Sequence, residues 1–150
     1  MTLDTFLQSV DFQVSLRLVV ALALGALAGY ERGRAGKVAG ARTHGMVALG
    51  AALFAIVSVY GFGGAGEPGR VAAQVVSGIG FLGAGAILQG RRSIQGLTTA
   101  ASLWVTAAIG LAAGVGLLLV AAVCLVLVLL LLSYGPRPVA ATADDSESDD

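Results

Sequence analysis

The chain has 150 residues, 57 % hydrophobic and only 12 % charged, with nine bases against nine acids and 22 glycines; its mean hydropathy is +0.88. Soluble domains carry roughly 25 % charged residues, and so short a chain cannot hide this much apolar surface in one aqueous core. A water-soluble domain and a nucleic-acid binder are excluded, which leaves an all-α bundle of transmembrane helices with the lipid bilayer as solvent.

A spanning helix needs ~20 apolar residues, with about 17 tolerated. Five runs meet that length, at 13–30, 44–62, 70–89, 97–113 and 115–133. They define a membrane domain over residues 13–133, preceded by a segment 1–12 and followed by a tail 134–150. Asp4 and Asp11 precede the first run, opposite to the positive start of a cleaved signal peptide, so that run reads as a retained span with its N-terminus outside. Arg17 lies one turn inside it, where a long side chain snorkels to the outer interface. The first loop, "ERGRAGKVAGAR", holds Arg32, Arg34, Lys37 and Arg42 against Glu31, and the third, "QGRRSIQG", holds Arg91 and Arg92. Loops rich in Lys and Arg stay in the cytoplasm, so loops one and three and the C-terminus face inward. Multi-pass insertion in a membrane is the expected localisation.

The last two runs form one apolar stretch broken only by Gly114 and Gly116 in "AAGVG", a place where glycine permits a tight turn. A four-span arrangement with a re-entrant fourth segment stays open there. Cys124, the single cysteine, sits in the last run with no second thiol to pair. The tail "GPRPVAATADDSESDD" places five acids in its last seven residues and reads as a disordered solvating extension.

At 100° per residue, Gln74, Gly78, Gly85 and Gln89 of the third run fall within about 60° of one another, with Gly80 and Gly83 opposite. Small residues on both flanks place that helix in the middle of the bundle. In "GLTTAASLWVTAAIG", residues 96–110, Thr98, Thr99, Ser102 and Thr106 form a stripe from which Trp104 and Leu111 point away. The expected partner of that stripe is the Gln/Gly face of the third run. Two readings stand. The hydroxyls bond neighbouring helices or their own i−4 carbonyls, with Gly78, Gly80, Gly83 and Gly85 allowing close packing. Alternatively, Gln74, Ser77, Gln89, Thr98, Thr99, Ser102 and Thr106 line a polar cleft. GxxxG matches such as Gly25 to Gly29 and Gly110 to Gly114 carry little weight among 22 glycines.

Glu31, Arg32, Arg42, His44, Arg91 and Arg92 cluster at the inner ends of the runs. They read as interfacial anchors or, more sharply, as an ion-paired gate or anion site where Glu31 meets Arg42. His44 reads as a cap at headgroup level. With one His, no thiol partner and no intramembrane carboxylate pair, no enzyme is expected. Mg²⁺ takes oxygen ligands, usually one or two carboxylates with waters; only Glu31 sits near a span, so no convincing metal set or cofactor is expected.

"GYER", "ARTH", "RVAAQVVSGIGFLGAGAIL" and "GLTTAASLWVTAAIGLAAG" closely resemble the MgtC/SapB membrane proteins across roughly residues 14–132. The resemblance implies a bacterial-type inner membrane protein of about five spans. Its members are associated with growth at low Mg²⁺ and, in some pathogens, with survival inside host cells. The matching positions are Glu31 and Arg32; Arg42, Thr43 and His44; Gln74, Gly78, Gly80, Phe81, Gly83 and Gly85; and Gly96 to Ala101 with Trp104. This chain departs in carrying an acidic tail in place of the longer members' soluble C-terminal domain, and Gly33 where many members have a charge. Two functions follow as expectations: a regulator that interacts with other membrane proteins, or a transporter or channel for Mg²⁺ or another cation. The expected partners are the lipid bilayer and other membrane proteins, with a homo-oligomer as a further alternative and no nucleic acid.

Overall fold

The computed structural model describes residues 9–61, 67–89 and 94–134. Five helices carry the fold: α1 (Val10–Arg34), α2 (Ala41–Tyr60), α3 (Pro68–Gly85), α4 (Leu97–Gly114) and α5 (Leu118–Ser133). Each overlaps one of the five apolar runs. Three of them, α1, α2 and α4, are long and apolar enough to cross a membrane. The α5 helix is apolar but has 16 residues, and α3 has 18 with Arg70 and Gln74 among them. The acidic tail and residues 1–8 lie outside the described residues.

Local chemistry sets the helix ends. The Ser9 hydroxyl accepts the Phe12 N–H at 3.3 Å and starts α1. Arg32 and Arg34 in its last turn complement the negative end of the helix dipole. Pro68 opens α3, at a position where its missing N–H breaks no helical bond. The third run was expected to stay helical to residue 89, but α3 stops at Gly85. Residues Leu88–Gln89 (β1) and Ile94–Gln95 (β2) instead pair antiparallel, Leu88 with Gln95 and Gln89 with Ile94. The hairpin delivers the chain to Gly96 at φ +91°, where any Cβ would collide with the Ala86 carbonyl. The long apolar stretch breaks at the expected place, with α4 ending at Gly114 and Gly116 turning at φ +96°.

The centre of the bundle is α1, α2 and α4, and its core is made of small side chains: Ala21, Ala28, Ala48, Ala52, Ile109 and Ala113 are at most 1 % exposed. A methyl at Gly25 would sit 2.6 Å from the Ala48 Cβ, and one at Gly114 would sit 2.5 Å from the Ala52 carbonyl oxygen. The GxxxG pairs of α1 and α4 thus set how closely both helices approach α2. They carry the packing that the third run was expected to carry. The α3 helix is peripheral: its contact face is Ile79, Gly83 and the following Ala86, which are buried, with Ile79 packed among Ala51 and Ala107. Those positions, four and three apart, form one stripe, and the isoleucine gives that face apolar area to bury. The α5 helix is peripheral as well, burying only Ala121 and Leu125.

At one end of the bundle Arg17 Nη1 donates to the Tyr60 hydroxyl and to the Gly114 carbonyl, both at 3.3 Å. This ties the end of α2 and the C-terminus of α4 to the start of α1. The other end gathers the last turn of α1 and the first turns of α2 and α4. Since α3 leaves α2 beside Tyr60 and reaches α4 beside Arg32, it runs the full depth of the bundle.

Candidate functional site

Among the described residues, that second end holds most of the buried polar side chains. Arg32, in the last turn of α1, is 7 % exposed, and its Nη2 donates to Thr99 Oγ1 at 2.5 Å. The Nε is buried with no hydrogen-bond partner among the described residues. His44, in the first turn of α2, is 0 % exposed. Its Nδ1 lies 3.0 Å from the Gly40 carbonyl oxygen and its Nε2 lies 3.1 Å from Ser102 Oγ. A carbonyl can only accept, so Nδ1 carries a proton. The Ser102 hydroxyl also lies 2.8 Å from the Thr99 carbonyl, so its single proton is given either to that carbonyl or to His44 Nε2. The Thr106 hydroxyl donates to the Ser102 carbonyl at 2.8 Å, one turn back along its own helix.

The hydroxyl stripe of α4 is therefore real in part, and its partner is different from the one expected. Thr99, Ser102 and Thr106 are buried against α1 and α2, where a cation and an imidazole need partners. Thr98 is exposed. The other half of the proposed cleft is elsewhere: Gln74 and Ser77 are exposed on the outer side of α3, and the Gln89 side chain lies outside what the structure describes. A Cβ at Gly78, Gly80 or Gly85 would meet nothing within 4 Å, whereas one at Gly83 would touch the Ala100 Cβ at 3.6 Å. Of the four glycines expected at helix contacts, Gly83 is the one that packs. The reason is burial area, since turning Ile79 inward leaves the amide face of α3 outward.

The charged cluster also separates. Glu31 and Arg42 are both exposed and form no gate; Arg32 and His44 turn inward, while Arg91 and Arg92 lie outside the described residues. Adjacent positions on a helix point about 100° apart, so in the Glu-Arg pair only one side chain can face the core. Sequence reasoning treated His44 as a headgroup-level cap and left Arg32 without a buried role. The available signal was spacing: Thr99 and Ser102, three apart on a helix without charged residues, offer two acceptors on one face.

Between α2 and α3 lies an open groove of about 990 Å³, whose walls include Met46, Gly50, Phe54, Gln74, Gly78 and Leu82. A Cβ at Gly50 or at Gly78 would meet nothing within 4 Å among the described residues, so each wall is open at its glycine.

The MgtC family model matches residues 18–139. The chain is 52 % identical over 107 residues to "Putative magnesium transporter YhiD" of Escherichia coli strain K12, covering 66 % of this chain and 49 % of that protein. It is 48 % identical over 103 residues to "Protein MgtC" of Salmonella typhimurium strain LT2, covering 69 % and 44 %. It is 50 % identical over 99 residues to "Uncharacterized protein slr0014" of Synechocystis, covering 66 % and 42 %. The chain thus spans about half the length of the curated relatives it matches. No solved structure matches it.

Proposed function

Because this chain belongs to the MgtC family, we propose that it is a regulatory membrane protein that binds a helix of another membrane protein, and that it neither conducts Mg²⁺ nor catalyses a reaction. The observation that carries this reading is the outward face of α3, where Gln74, Ser77, Gly78 and Gly85 are exposed. In hydrocarbon an amide without a partner is costly, while small residues beside it let another backbone come close. The groove between α2 and α3 runs along the same face. A transmembrane helix carrying its own amide or hydroxyl, flanked by small residues, fits that surface.

The buried charge argues against a Mg²⁺ path through the polar interior. The Arg32 guanidinium bonds Thr99 in that interior, and a guanidinium, with N–H donors only, offers a Mg²⁺ ion no oxygen ligand. The membrane is the cytoplasmic one on this reading, with the basic first loop inside, and the setting is adaptation to low magnesium or intracellular stress.

A photo-crosslinking residue placed at Gln74 or Ser77 in cells is the test. We expect a discrete second polypeptide from these sites and lipid alone from Leu119, which is 78 % exposed on α5. Differently tagged copies distinguish a foreign partner from self-association. Lipid-only products from α3, or Mg²⁺ flux into proteoliposomes above an empty control, would overturn the reading in favour of transport.

A further inference from the structure

Arg32 is nine-tenths buried, yet its hydrogen bond among the described residues goes to a neutral hydroxyl. A guanidinium has five N–H donors, and here Nε has no acceptor among the described residues. Burying an ion without an opposite charge costs several kcal/mol even after relaxation, so this arrangement calls for an anion. The three acids among the described residues do not supply it. Glu31 is exposed on the surface, and Asp11 and Glu67 belong to the start of α1 and the start of α3, at the Arg17 end of the bundle.

The surroundings of Arg32 favour negative charge from more than one side. The first turn of α4 begins at Gly96, which makes no side-chain cap, and the first N–H groups of a helix have no partner within it. Thr99, which holds the guanidinium, belongs to that same turn. The first turn of α2 begins at Gly40, also without a side-chain cap. Gly29 of α1 lies against the Gly40 carbonyl, which brings that second helix N-terminus beside the end of α1. Lys37, whose backbone N–H returns to the Arg32 carbonyl at 3.1 Å, and Arg42 add positive potential.

We propose that Arg32 and the uncapped first turn of α4 form an oxyanion site for phosphate, either as the free ion or as the headgroup phosphate of a membrane lipid. The guanidinium fork matches two oxygens of one phosphate, and helix N-termini carry partial positive charge that phosphate groups use. This goes beyond the partner-binding reading and does not depend on it, since the two sites lie on different helices and different faces.

The test uses the full chain in dodecyl maltoside micelles, which contain no phosphate. Thermal unfolding is followed with inorganic phosphate titrated against chloride at equal ionic strength. In a second arm, phosphatidylglycerol is added to the micelles. We expect Tm to rise in at least one arm, and the responding arm identifies the source. Arg32→Gln should weaken the response by about thirtyfold or more, because one partner of a buried charge pair is removed. Arg34→Gln should keep it, because Arg34 is exposed and lies over the Tyr30 ring. If Arg32→Gln fails to fold, Thr99→Asp places a carboxylate against the guanidinium. That variant should melt higher than wild type without phosphate and should no longer respond to it. The proposal is overturned if wild type responds in neither arm, if Thr99→Asp responds as wild type does, or if Arg34→Gln loses the response as fully as Arg32→Gln.

Discussion

The four hydroxyls of α4 differ in what each one satisfies, so single substitutions should separate them. Ser102→Ala leaves His44 Nε2 without a partner in a side chain that is 0 % exposed. An unsatisfied buried group costs about 1–3 kcal/mol, above the ~0.6 kcal/mol average of an interhelical bond in a membrane bundle. Thr106→Val removes a bond to the helix's own backbone and keeps the shape, so its cost should stay below about 0.6 kcal/mol. Thr98→Ala changes an exposed side chain and should fall within about 0.5 kcal/mol of wild type. Unfolding of the three variants in one detergent gives the order; a Thr106→Val as damaging as Ser102→Ala would contradict the hydrogen-bond assignment.

At the scale of elements, the packing of α4 on α2 and of α3 on α4 rests on different small residues. Gly110 lies directly on the Ala48 backbone, so Gly110→Val must push α4 away from α2. Overpacking of this kind costs about 1–3 kcal/mol. Gly78→Val adds a side chain where nothing lies within 4 Å and should change stability by no more than about 0.5 kcal/mol, while blocking any partner helix that uses the groove. Paired cysteines report the register directly. A Gly83→Cys, Ala100→Cys double variant should form a disulfide under mild oxidation, and a Gly78→Cys, Ser102→Cys double variant should not. The reverse outcome would restore the Gln/Gly face of α3 as the one that meets α4.

For the whole molecule, the two bundle ends fix which loops share a side. The first loop lies at the Arg32 end, Gly61 lies at the Arg17 end, and α5 leaves Gly116 at the Arg17 end to run back. In a chain with Cys124 replaced, Val38→Cys and Tyr134→Cys should therefore label from the same side of the membrane, and Gly61→Cys from the other. Val38 and Tyr134 are 76 % and 86 % exposed, so access does not limit the reaction. Labelling of Val38→Cys and Tyr134→Cys from opposite sides would mean that α3 or α5 does not cross.

Hydropathy along the chain determines that the protein is a membrane helix bundle, because a bilayer penalises every unsatisfied backbone group and apolar runs of spanning length satisfy theirs within a helix. Gly116 marks a turn for an equally local reason, since positive φ is open to glycine and closed to most other residues. The resemblance carried by "GYER", "ARTH" and the two long glycine-rich blocks likewise names the family from residues alone. Which faces meet is not local. Gln74, Gly78 and Gly85 form as clear a stripe as Ile79 and Gly83, and the choice between them follows from the volume available against Ala51, Ala100 and Ala107. The pairs Gly25–Gly29 and Gly110–Gly114 look like chance among 22 glycines until the alanines of α2 are set against them. Arg32 and Glu31 are adjacent and both charged, and only the position of Thr99, 67 residues away in the chain, turns one of them inward. Tertiary structure decides these points because a side chain's partner is chosen by packing across helices, and periodicity along one helix describes a face without saying what the face will meet.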